Sequence, residues 1–193
     1  MTRNHFYDAF DLSDARVEDL DTVEFARLVA RLPGFDEWEG WAVTEVHSGH
    51  LQPLCTSVSR SRVASARSLL SLYEAGEIAP FKPVLLRYPS HPNRTVTQRV
   101  FPPVILARGS NRIILDGMHR LYAALELGHG TISALVITSR SMILPGDPLT
   151  WGDVASVEES PEPRTKFRNF NAAGFRDPFT KTLNAEWLWS EER

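Results

Sequence analysis

Cysteine is nearly absent: Cys55 stands alone in 193 residues, so neither a disulfide framework nor a cysteine-based zinc site can be built within one chain. Long apolar runs are missing as well. No stretch approaches the roughly 20 apolar residues of a membrane-spanning helix, and the polar start Met1-Thr-Arg-Asn-His5 lacks a secretory core, which together imply a cytoplasmic protein. Neither sign of charge is in large excess. A formal net charge of −3 gives no whole-chain case for nucleic-acid binding, although a local basic patch is compatible with it. The chain also has no Gly-x-x-x-x-Gly-Lys, Gly-x-Gly-x-x-Gly, His-Glu-x-x-His or Gly-x-Ser-x-Gly, which removes the standard P-loop, dinucleotide, zincin and serine-hydrolase readings.

What is present is enough for one main domain with appendages: 42% of the residues are hydrophobic and 23% charged. Phe25, Leu28, Val29 and Leu32 recur at helical spacing and predict an amphipathic helix within 14–32, ended by Pro33-Gly34. Its stripe would cover a face or edge of the main sheet, and a homodimer contact would use the same stripe. Trp41 to Val46 alternates as a half-buried strand. The turn after it holds His47 and His50, but nothing nearby supplies further ligands at familiar spacing, so no metal is assigned there. From Arg60 to Glu74, Val63, Ala66, Leu69, Leu70 and Tyr73 share one helical face, while Arg60, Arg62 and Arg67 are read as a solvated face rather than a phosphate contact. Ser59 or Ser61 is placed to cap this helix. Val84 to Tyr88 reads as a strand, and Pro89 to Thr97 as a polar loop, either a lid or an insertion. After Ile137 the prolines of 144–148 and 160–163 suggest an irregular wrap. The basic and aromatic tail from Lys166 through Phe175 and Arg176 to Trp189 fits core coverage or subunit packing better than nucleobase stacking. The division is therefore 1–40, a helical extension; 41–140, the main domain; and 141–193, the wrap or subunit contact.

The chemistry concentrates in Asn111 to Ile137. Gly109-Ser-Asn111 predicts a hairpin into Arg112-Ile-Ile-Leu115, Asp116-Gly117 interrupts that strand, and Leu121, Ala124 and Leu125 mark a helix stopped by Gly128. His119 and Arg120 thus fall in a helix first turn, where unpaired N–H groups already present partial positive charge. A cation there is disfavoured by roughly 0.3–1 kcal/mol, and a bound anion such as phosphate reverses the penalty. The competing explanation is structural: Asp116 caps the helix and pairs with Arg120, and His119 is a core histidine.

The segment Phe101 to Ile137, with Phe-Pro-Pro-Val-Ile-Leu, then Ile-Ile-Leu-Asp-Gly-Met-His-Arg-Leu-Tyr-Ala-Ala and Ala-Leu-Val-Ile, resembles the ParB/sulfiredoxin superfamily. The resemblance implies a small mixed-sheet α/β domain that holds nucleotide phosphates on Gly117, Met118, His119 and Arg120. Met118 stands where sulfiredoxins need a cysteine, which excludes sulfinic-acid repair. The proline-broken sequence after Ile137 offers no helix-turn-helix for a chromosome-partition role. The closest outline is that of the free-serine kinases, whose catalytic glutamate aligns with His50 here. By that resemblance His50 removes the acceptor's hydroxyl proton, with Glu45 as the carboxylate alternative, and Asp116 orients the acceptor or a magnesium-bound water. The implied activity is phosphoryl transfer from ATP or ADP, with CTP a further option and Mg2+ as cofactor, to a small hydroxylated metabolite. A non-catalytic nucleotide-binding switch is the first alternative. A nucleic-acid-binding or nuclease module is the second, opposed by the lack of a carboxylate cluster or basic face.

Overall fold

The computed structural model describes residues 14–32, 34–91, 94–159, 162–174 and 189–192. In chain order these form β1 (Arg16–Asp19), α1 (Thr22–Val29), β2 (Gly40–His47), β3 (Ser57–Ser59), α2 (Arg60–Ala75), β4 (Val84–His91), β5 (Arg94–Val100), β6 (Val104–Arg108), β7 (Asn111–Asp116), α3 (Met118–Glu126), β8 (Thr131–Thr138), β9 (Ala155–Val157) and β10 (Trp189–Glu192). The class is mixed α/β. One sheet has the order β2-β8-β6-β7, a second the order β1-β4-β5-β10, and β3 and β9 make a short parallel pair.

The first sheet positions the turn of interest. The β6–β7 hairpin closes through Gly109, whose φ of 59° is the left-handed conformation that glycine adopts without strain. Strand β8 returns parallel to β6, and β2 is antiparallel at the outer edge. Alternation of side chains across the sheet separates two cores. Ile105, Ile114, Ile132 and Ala134 pack with α2, α3 and the second sheet. Val104, Leu106, Ile113, Leu135 and Ile137 pack with Phe25, Leu28 and Val29 of α1.

The edge of β7 is occupied by an earlier part of the chain. Gln52 bridges Ile113 in parallel, its N–H donating to the Arg112 carbonyl at 2.8 Å and its carbonyl accepting from Ile114 N at 2.9 Å. From Gln52 to β3 the backbone therefore runs beside β7 in the same direction, and each run is followed by a helix that doubles back. α2 and α3 consequently lie side by side and parallel. Arg67 pairs with Glu126 at 2.7 Å, and just past the end of α3 His129 Nε2 lies 3.2 Å from Glu74 Oε1 of α2.

Three expectations change. The region read as a helix over 14–32 opens with β1, which pairs with β4; Asp21 then caps the shorter α1 through bonds from Val23 N and Glu24 N. The loop expected over 89–97 is instead the meeting of β4 and β5. Tyr88 and Val96 are buried opposite each other there, and the β-branched residues Thr95, Val96 and Thr97 suit a strand. Strand β2 exists, but as the outer strand of its sheet it is mostly exposed, with Trp41 touching Phe25 of α1 at 6.2 Å between ring centres and Val46 packing on the core beneath α2 and α3. Phe175, Arg176 and residues 187–188 of the tail lie outside the described residues, whereas Phe167 and Phe170 pack ring to ring at 6.1 Å.

Candidate functional site

Strand β7 ends at Asp116, and Gly117 turns the chain into α3 with φ of 85°. A Cβ at Gly117 would stand 2.8 Å from Pro103 Cβ and 3.0 Å from its Cα, so the turn is pressed against the entry to β6. Arg120 points back into the protein. It is 8% exposed, its Nη1 donates to the Phe101 carbonyl, its Nη2 lies 3.3 Å from Asp116 Oδ2, and its guanidinium sits 5.8 Å from the centre of the Phe81 ring. Phe81 is fully buried with a φ of 62°, a strained conformation for a bulky residue that only surrounding packing can hold. Every contact of Arg120 thus ties the start of α3 to the core. Met118 is partly buried against the same core.

His119 faces other partners. Its Nε2 is buried without a hydrogen bond among the described residues. Burial first, then the charges of Arg62, Lys166 and Arg120, lower its pKa from 6.5 to about 4, so the imidazole is neutral at physiological pH. Arg62 comes from the first turn of α2. Lys166 arrives from the 163–166 turn, held by the Cys55–Phe167 bridge and by bonds from Thr56 N and Oγ1 to the Lys166 carbonyl. Burial, and after it Arg62, lowers the Lys166 pKa. Cys55 lies beside Lys166 and Asp116; burial raises its pKa and keeps it a protonated thiol, a poor nucleophile.

Because α2 and α3 are parallel, their N-termini end together at this cluster. Neither has a side-chain cap: Gly117 has no side chain to offer, and Ser59 Oγ is shared with Ser61 Oγ at 2.9 Å. Neither first turn contains an acidic residue. Arg62 and Lys166 have no carboxylate partner among the described residues, whereas Arg60 is paired with Glu158 and Asp116 with Arg120. The charges of Arg62 and Lys166 thus bear on a neutral imidazole near two uncapped helix ends, an electropositive setting of the kind that attracts a phosphate or another oxyanion.

The other residues singled out from sequence lie elsewhere. Ser48 donates from Oγ to the His129 carbonyl at 2.7 Å and from N to the Gly130 carbonyl at 3.0 Å, which anchors the His47–His50 turn against the C-terminal end of α3. About 13 Å of helix, at 1.5 Å per residue, separates that end from Gly117. His50 stacks on His47 with ring centres 4.4 Å apart. Val46 packs with the α2/α3 core, so Glu45, the preceding residue of β2, projects from the opposite face of the sheet. His50, Glu45 and the Asp116–Arg120 turn are therefore not brought together. Asp116 is paired with Arg120 and Glu158 with Arg60, and no group of three His, Cys, Asp or Glu side chains is placed to hold a metal ion among the described residues.

From sequence Arg62 is weighed as a phosphate contact and read instead as part of a solvated face, whereas Lys166 and Cys55 are not linked to this turn. Arg62 carried a usable signal, since it is a cation in a helix first turn, the same anomaly that drew attention to His119. Lys166 had no local signal, because it reaches the site only through the fold. Comparison of the chain with protein-family models, with curated proteins and with solved structures finds no match.

Proposed function

We propose that this chain is a ParB/sulfiredoxin-like domain that binds the phosphates of a nucleotide at the shared N-terminal end of α2 and α3. The observation that carries the reading is the uncapped start of two parallel helices, each without an acidic residue in its first turn, together with the positive charge that Arg62 and Lys166, neither with a carboxylate partner among the described residues, exert on His119 there. Like charges held together cost free energy, and an anion between them offsets that cost while accepting from the free N–H groups. Gly117 lets the backbone approach closely, and Arg120 holds the turn rather than the ligand. Within this reading the domain is a nucleotide-responsive binding module.

Phosphoryl transfer is the second reading, favoured by one feature. His119 is neutral and lies in the first turn of α3, where the phosphates are proposed to sit, and a shift that exposed its imidazole would offer a base for a hydroxylated acceptor, in the role first considered for His50 or Glu45.

Calorimetric titration with ATP, ADP and CTP tests the first reading. Arg62→Ala and Lys166→Ala should each weaken binding by about 10–100-fold, the equivalent of the roughly 1.5–3 kcal/mol of a charge-assisted hydrogen bond, with thermal stability unchanged. Unaltered affinity in both variants would overturn the site. A phosphorylated product in a mass-spectrometric screen of hydroxylated metabolites with ATP or ADP would promote the second reading.

A further inference from the structure

We infer that the outer edge of β2 is a self-association surface: two copies of the chain join antiparallel along it, Val43 opposite Val43, and their four-stranded sheets become one. Nothing in this depends on the phosphate-binding reading.

The two edges of this sheet differ. At β7 the edge is occupied, since Gln52 bridges Ile113 and bonds its backbone to Arg112 and Ile114. At β2 it is open. Ser48 N donates to the Gly130 carbonyl at 3.0 Å in register with the β2–β8 ladder, so these two form a hydrogen-bonded pair. Antiparallel pairs alternate, which turns Val46, Thr44, Ala42 and Gly40 toward β8 and directs the N–H and C=O groups of Trp41, Val43, Glu45 and His47 outward, with no backbone partner among the described residues. Natural edges are blunted by shortness, lysine, proline, a bulge or a covering segment. Strand β2 has eight residues in unbroken register with β8, no lysine, arginine or proline, and Glu45 as its one acidic side chain. Every residue from Trp41 to Glu45 is exposed, Val43 at 38%. The homodimer contact expected of the α1 stripe is closed off, because Phe25, Leu28 and Val29 are already in a core.

What fits this edge is another like it. A second copy offers a strand of equal length already held extended, so less backbone freedom is lost than when a disordered peptide is laid down. A two-fold axis makes the pairing antiparallel, and only residues with outward groups can exchange bonds. Near the middle of the strand the axis can therefore stand at Val43 or at Thr44. At Thr44 the two Glu45 carboxylates become diagonal neighbours, a repulsive arrangement. At Val43 they lie far apart: valine meets valine, Trp41 faces Glu45 of the second copy, and about six N–H···O bonds form within the strands. Glu39 then comes opposite the second copy's His47. Arg140, 3.6 Å from Glu39 and with its side chain 93% exposed, is carried with it toward the second copy's Glu45. Charge complementarity thus selects the Val43 register.

Sedimentation of the full chain across a wide dilution series should show a monomer–dimer equilibrium. Val43→Lys, at an exposed position, sets two ammonium groups against each other at the axis and should weaken the dimer by about tenfold or more, with the melting of the dilute chain unchanged. Because the variant could fold poorly, amide hydrogen exchange of the wild-type chain provides a second readout. The outward amides of Trp41, Val43 and Glu45 should exchange more slowly at high protein concentration than at low, while those of Ala42 and Thr44, already bonded to β8, should change least. A chain that stays monomeric throughout would overturn the surface. So would a dimer whose outward amides exchange equally fast at both concentrations, or a well-folded Val43→Lys that dimerises as the parent does. Each of these results leaves the phosphate site standing.

Discussion

Arg120 stands where an anion-binding arginine would be expected, in the first turn of a helix after a glycine, yet its guanidinium is spent on the Phe101 carbonyl, Asp116 and the face of Phe81. Arg120→Ala should therefore act on stability more than on affinity. It removes the partner of Asp116 and the Arg120 bond to the Phe101 carbonyl. The expected loss is about 2–4 kcal/mol, between the values for a charged hydrogen bond and for a broken buried ion pair. Urea denaturation measures it, and a variant as stable as the parent but unable to bind nucleotide would return Arg120 to the ligand. Arg62 and Lys166 show the converse. Each was legible as a charge, but its role follows from the company it keeps.

At the scale of elements, the unit that matters is a pair. The run from Gln52 into α2 and the run of β7 into α3 are two strand–turn–helix passages laid side by side, and their parallel helices bring two sets of free N–H groups to one place. Gly117 lets the second passage close. Gly117→Ala imposes both a left-handed φ on a residue with a Cβ and a contact of 2.8 Å with Pro103. Strain and overpacking together predict a loss of about 2–4 kcal/mol. The same shift of the α3 start should weaken nucleotide binding. Equal stability of Ala and Gly in a thermal melt would show that the turn tolerates a side chain.

For the whole molecule, the chain after β8 is part of the site rather than an ornament on it. Its 163–166 turn delivers Lys166, and β9 pairs with β3 just before α2. Asp153, bonded to Thr150 and to Arg168 at 2.8 Å, braces this segment. Acid should undo the structure in two windows. His119 is neutral in the fold with a pKa of about 4, against 6.5 when free of its surroundings, so the unfolded chain binds the extra proton between those values. Stability is full above pH 6.5 and falls as the pH drops toward 4, by at most roughly 3 kcal/mol. Asp153 is lowered from 3.8 to about 2, first by the Thr150 backbone bond and then by Arg168. Its contribution is present above 3.8 and lost as the pH falls toward 2. Urea midpoints measured at about pH 7, 5 and 3 should decline across both windows, and His119→Gln should flatten the upper one.

Local order was legible in the residues themselves. The 3.6-residue period of Val63 to Tyr73, the hairpin at Gly109 and the strand–glycine–helix change at Asp116 to Arg120 are short-range patterns that the backbone obeys wherever the segment sits. The strand pairing of 84–100 was missed because Pro89 and the polar residues around it resemble a loop until Tyr88 and Val96 meet across a ladder. The half-buried reading of β2 failed for the opposite reason: alternation records which side chains suit a core, but neighbours decide whether a core is there. The site divides along the same line. A cation in a helix first turn is a property of sequence, and it marked His119 as it could have marked Arg62. Which arginine turns inward, which lysine arrives from the far end of the chain, and that two helix termini share one end are facts of tertiary structure. They depend on contacts between residues tens of positions apart, which no local spacing encodes.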